Sequence, residues 1–170
     1  VFETVHLRLR REVPELAAAV RGQVRNLVIL QTLRTAEFLE LWRALEEAGV
    51  TPLVVKGVVC RQLYPKPDHR PSSDEDVLIP PEQFPLCHEV MTRMGLTTAE
   101  PDPDGAWEVP YRREGSPLYI ELHKHLFAPE SDTFGGLNEF FGDPFRSAAV
   151  LEVQGTALRT MHPCEHLTYL

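Results

Sequence analysis

The sequence predicts an α+β fold, with helices packed on one small mixed or antiparallel sheet. Three observations predict it. A proline-free stretch from Glu15 to Ala48 repeats apolar residues at three- and four-residue steps. Short apolar or alternating runs follow at Pro52–Val55, Asp74–Ile79, Trp107–Arg113 and Pro117–Leu126. Helical stretches are mixed with these short strands, the last two of which read as an antiparallel hairpin.

The elements follow in order. Pro14 sits where a first helical residue belongs, Gly49 is the expected C-cap, and Gly22 is a candidate break between two helices. Pro52-Leu53-Val54-Val55 reads as a buried strand ending at Lys56-Gly57, and Val58 to Tyr64 as a helical turn. The proline-rich loop Pro65–Ser73 leads to a second strand, Asp74–Ile79. Pro80-Pro81 opens a helix carrying Cys87, Val90, Met91 and Met94 on one face, capped by Gly95. Ala99–Gly105 is acidic and exposed. Trp107–Arg113 and Pro117–Leu126 flank Arg113-Glu114-Gly115-Ser116 and read as a hairpin. Phe134–Phe145 is irregular or a short helix, Ala148–Met161 a strand pair around Gly155, and a helix starts near Pro163. The expected organisation is a helical segment at 1–49, a core at 50–161, and at 162–170 the start of a helical region. Val1 is not Met, and the apolar pattern continues to Leu170, so the natural chain is expected to extend further.

Composition narrows the function. The 170 residues carry 17 Lys plus Arg against 25 Asp plus Glu, a net charge of −8. That argues against long DNA or RNA as a partner. Most of the cations are arginines, suited to a local bidentate phosphate grip. No apolar run reaches the roughly 20 residues of a membrane span, and Val1–Arg11 alternates apolar and charged residues, unlike a signal peptide. Three scattered cysteines give no disulfide framework, and a reducing cytoplasm is the expected compartment.

The sharpest chemical feature is Asp74-Glu75-Asp76. On a strand, residues two apart share a face, which places Asp74 beside Asp76 and Glu75 with Val77 and Ile79. Adjacent carboxylates repel unless a cation bridges them, and hard oxygen ligands suit Mg²⁺ or Mn²⁺. Glu121 lies in a second alternating strand, sharing a face with His123 and His125. A mid-strand glutamate is costly to bury unless paired or metal-bound. If the two strands are neighbours, three carboxylates converge. That set could hold two metal ions roughly 3.5–4 Å apart, aligning attacking and leaving oxygens in phosphoryl or nucleotidyl transfer.

These elements resemble the DNA polymerase β-like nucleotidyltransferase superfamily. More narrowly, Val54-Val55-Lys56-Gly57, Leu63-Tyr64-Pro65, Arg70, Ser73–Ile79 and Ile120-Glu121-Leu122-His123 are similar to an uncharacterised bacterial nucleotidyltransferase family. The resemblance implies that Asp74, Asp76 and Glu121 bind two Mg²⁺ (or Mn²⁺) ions and carry catalysis. It implies that Gly57 admits phosphate close to the backbone and that Lys56, Arg70 and Ser73 contact it. The chain departs from the pattern in three places. The usual Gly-Ser turn is Lys56-Gly57-Val58, without the hydroxyl. Glu75 stands where an apolar residue is usual, which implies an exposed or differently packed strand. Lys124 replaces a tryptophan.

The expected activity is transfer of a nucleoside monophosphate from an NTP to a small-molecule or protein hydroxyl. One alternative is a non-catalytic relative of the same fold that binds nucleotide or a partner. Another is a zinc-dependent hydrolase built on His162, Cys164 and His166, whose histidines sit four apart. His123 is expected to orient a carboxylate or lie beside substrate.

Overall fold

A computed structural model of the chain describes residues 13–169. The alternating stretch Val1–Arg11 lies outside them. The architecture is α+β: a six-stranded mixed sheet with helices on both faces.

Helix α1 (Pro14–Glu47) is one unbroken helix. Gly22 does not divide it, because one glycine costs a helix only about 1 kcal/mol and the surrounding turns supply the rest. The helix stops where Gly49 takes φ 91°, a conformation open to glycine, and Val50 N–H bonds back to the Leu45 carbonyl at 2.9 Å. Its second half buries Phe38, Leu41, Trp42 and Leu45 against the sheet. Each such side chain contributes roughly 1.5–3 kcal/mol by leaving water. Its first half leaves Leu16, Leu27 and Leu30 exposed.

Strand β1 (Leu53–Val54) is followed by α2 (Val58–Gln62). Next come a 3-10 turn at Pro67–His69, β2 (Glu75–Leu78), and α3 (Phe84–Arg93) entered through a second 3-10 turn. The hairpin forms as β3 (Glu108–Arg112) and β4 (Tyr119–His123), paired antiparallel. After α4 (Leu137–Phe141), β5 (Ala149–Val153) turns at Gln154-Gly155 into β6 (Thr156–Thr160), and α5 (Pro163–Tyr169) closes the described chain.

The strand order is β3-β4-β2-β1-β6-β5. Two pairings in it are decisive for the site. Strand β2 runs parallel to β4, with Asp76 beside Glu121 and Leu78 beside His123. Strand β1 runs antiparallel to β2, which brings the Lys56-Gly57 turn next to the start of β2.

The two sheet faces serve different ends. Val54, Val77, Ile79, Ile120 and Leu122 join the large core with α1 and α3. Leu53, Val55, Leu78 and Met161 face the other way, into a smaller cluster with Phe141. Period-two alternation therefore puts Asp76, Glu121 and His123 on the thinly covered face.

Candidate active site

Alternation aims the two acids of β2, Glu75 and Asp76, at opposite sides. Glu75 points into the large core and is fully buried, so the strand is not exposed there. Its charge is met from below by α2: Arg61 Nη2 lies 2.6 Å from Glu75 Oε1, and Val58 N–H donates to Glu75 Oε2 at 2.6 Å. Arg61 also bonds Ser72 Oγ, and Gln31 Nε2 of α1 donates to the Ser72 carbonyl at 2.8 Å. A buried polar network thus ties α1, α2 and the 72–75 segment together. Desolvation pushes the Glu75 carboxyl up to about 7 against the opposing pull of Arg61.

Gly57 owes its identity to this network. Its φ is 57°, and a Cβ there would run into Glu75 Oε2 and come within 2.8 Å of the Asp74 carbonyl. The Glu75 carboxylate thus approaches the turn closely from the core side.

On the other face, donor atoms of Asp76, Glu121 and His123 all lie within 4.8 Å of one another. Their burial is graded: Asp76 and His123 are 5% exposed, while Glu121 is half-buried. The Glu121 carboxyl titrates above its ordinary value, first through desolvation and then through repulsion from Glu108, Asp76 and Asp74. His123 Nε2 stands 3.5 Å from Asp76 and Nδ1 stands 3.6 Å from Glu108, and both nitrogens are buried without a hydrogen-bond partner. Excess negative charge and an unpartnered imidazole beside it are what a divalent cation would relieve. The donor set fits such an ion.

Asp74 stands outside that group. Its carboxylate accepts from Ser73 Oγ at 3.0 Å, and it lines an adjoining hollow of about 280 Å³ with Lys56, Gly57, Arg70, Ser73 and Asp76. Every residue singled out in the sequence for phosphate therefore faces the same hollow. Burial disfavours the Lys56 ammonium, but Tyr169, Asp76 and Glu121 outweigh it and hold its pKa above the ordinary lysine value.

Several contributors were not evident from sequence. Glu108 and Trp107 reach the site from β3 and its approach, and Tyr169 from α5. Glu108 follows from the hairpin register, since it pairs opposite His123. Arg61 was signalled only indirectly, by the demand of a buried Glu75 for a cation.

Two further sequence expectations change. His125 does not share the site face, because β4 ends at His123 and the chain turns His125 out to solvent. In the tail, His162 and Cys164 are exposed whereas His166 is buried, and among the described residues they form no group able to hold a metal. Lys124, in place of a tryptophan, lays its ammonium 3.9 Å from the Phe84 ring centroid and bonds the Pro103 and Asp104 carbonyls.

A mixed sheet with paired acids on neighbouring strands, beside a cation-lined hollow, is consistent with a nucleotidyltransferase core. Residues 3–170 match the family described as "Uncharacterised nucleotidyltransferase", and the chain belongs to that family. No curated protein and no solved structure matches the chain.

Proposed function

We propose that the protein transfers a nucleoside monophosphate from an NTP to a hydroxyl of a small molecule or protein, with Mg²⁺ or Mn²⁺ as cofactor. One observation carries this reading: Asp76 is shared by two hollows, one lined by Lys56, Arg70 and Ser73, the other by Glu121 and His123. The first suits a triphosphate, the second an attacking group.

Lys56 and Arg70 offset the charge of the β- and γ-phosphates, and Ser73 offers a hydroxyl donor. Asp74 and Asp76 face the triphosphate; Asp76 and Glu121 face the acceptor. Divalent ions held by these carboxylates, two in the proposed arrangement, would supply charge neutralisation to the reacting phosphate and lower the pKa of the hydroxyl. The acceptor oxygen bonds to the α-phosphorus as the bond to the bridging oxygen breaks. Pyrophosphate leaves with that electron pair, and the hydroxyl proton passes to a site carboxylate and on to water.

The non-catalytic alternative draws on a specific contact. The Val58 N–H is already engaged by Glu75, so the turn offers phosphate less than a free Gly-Ser turn would. Calorimetry with ATP, GTP, CTP and UTP, each with Mg²⁺ or Mn²⁺, tests the proposal on the wild type and on Asp74→Ala/Asp76→Ala. Metal-dependent binding lost in the double variant is the expected result. No NTP binding by the wild type would overturn the reading.

A further inference from the structure

The hollow on the Glu121 side of Asp76 has a volume of about 310 Å³ and a distinctive lining. It shares only Lys56 and Asp76 with the triphosphate hollow. In-line displacement brings the attacking oxygen from the side opposite the leaving pyrophosphate. Granted the transfer reading above, this second hollow is therefore where the acceptor sits.

Its chemistry selects a charge type. Trp107, Phe127, Phe134 and Tyr169 supply aromatic surface, and Glu108 adds a carboxylate to those of Asp76 and Glu121. A divalent ion at Asp76 and Glu121 would leave Glu108 as the acid not neutralised. Among the described residues, the basic group within ion-pair distance of it is the His123 ring, whose Nδ1 lies 3.6 Å away. His123, 5% exposed and with neither ring nitrogen hydrogen-bonded, also lines this hollow, so the pocket presents polar groups awaiting a ligand. The protein's own Lys56 shows what the aromatic wall accepts: its ammonium lies 4.8 Å from the Tyr169 ring centroid. Carboxylates beside aromatic faces attract ammonium groups and repel phosphates. The net charge of −8 steers ligands the same way.

We infer that the acceptor is a small hydroxylated amine, its ammonium held at Glu108 against the aromatic wall and its hydroxyl presented to Asp76 and Glu121. An anionic acceptor, such as a sugar phosphate, is disfavoured by Glu108.

The test uses one ring scaffold in three charge states: 2-deoxystreptamine, myo-inositol and myo-inositol 1-phosphate. Saturation-transfer NMR in saturating MgCl₂ reads their binding to the wild type, to Glu108→Gln and to Phe134→Ala. Calorimetry with ATP is run on the same preparations. The diamine should bind most tightly and the phosphate not at all. Glu108→Gln should weaken diamine binding about tenfold, a single charge-assisted contact, with ATP binding retained. Phe134 is 54% exposed, so Phe134→Ala keeps the fold and should also weaken the diamine. Equal binding of the diamine and myo-inositol, or an unaltered diamine affinity in Glu108→Gln, would overturn the inference. Charge-ranked binding without any ATP binding would instead overturn the transfer reading, and with it the acceptor role, while leaving an ammonium site.

Discussion

Arg61 Nη2 lies 2.6 Å from Glu75 Oε1, with both side chains essentially sealed from solvent. The pair stands directly beneath the strand that carries Asp74 and Asp76. It fixes the turn at Gly57-Val58 from one side and the Ser72 segment from the other. The acids facing substrate are thus held in place by an acid facing away from it.

Removing one partner of that pair should be costly. Arg61→Met leaves a buried carboxylate without its cation, and a loss of about 3–5 kcal/mol is expected. Arg61→Met/Glu75→Leu, which restores an apolar residue on β2, should recover most of it. Urea unfolding of the wild type and the two variants decides: Arg61→Met within about 1 kcal/mol of wild type would show that the pair holds nothing up.

Gly57→Ala tests the same network from the turn. Positive φ alone costs a side chain about 1–3 kcal/mol, and the new methyl would strike Glu75 Oε2. Glu75→Ala opens that space, so the two substitutions should be non-additive, with a coupling of about 0.5–3 kcal/mol. Additive losses in a double-mutant cycle would mean that backbone conformation alone demands the glycine.

The acidic site should make the metal-free protein sensitive to pH. Glu121 titrates above its ordinary value, so the folded chain holds that proton more tightly than the unfolded one. Its contribution to stability is present at low pH and is lost as pH rises through the range above the usual carboxylate value. Mg²⁺ or Mn²⁺ should therefore raise Tm more at pH 7.5 than at pH 5.5. Glu121→Gln should raise the metal-free Tm at pH 7.5 and blunt the response to metal. A thermal-shift series in which Glu121→Gln keeps the full metal response would remove Glu121 from the ligand set.

Thiol labelling gives an independent check on packing. Cys164 is exposed, whereas Cys87 is buried and its thiol is pushed up to about 12 by desolvation. Burial raises Cys60 as well. One cysteine should react quickly with iodoacetamide at pH 8 in the native protein and all three after denaturation. Rapid native labelling of Cys87, located by peptide mass, would contradict the buried face of α3.

Much of this arrangement was legible in the chain. The long helical stretch (though not its continuity through Gly22), the hairpin and the final strand pair follow from periodicity and turn residues, because those signals are local. Glu75 shows the limit. A charge in an apolar strand reads as exposure, since its partner Arg61 lies 14 residues upstream in another element, and no local rule links them. His125 shows another: alternation holds only while the strand continues, and β4 stops at His123, where the chain leaves the ladder. The gathering of Lys56, Gly57, Arg70 and Ser73 around one hollow was expected from motif resemblance, and spacing alone would not have shown it.

Which residues are acidic and which strand face each can occupy could be read from the chain alone. Those properties depend on side-chain chemistry and on the fixed periods of helix and strand. Long-range pairing set the rest. Parallel pairing of β2 with β4 set Asp76 beside Glu121, the hairpin register brought Glu108 opposite His123, and α5 carried Tyr169 to the same hollow. Those neighbours are separated by up to about a hundred residues, and only the burial of both sheet faces fixes the register that joins them.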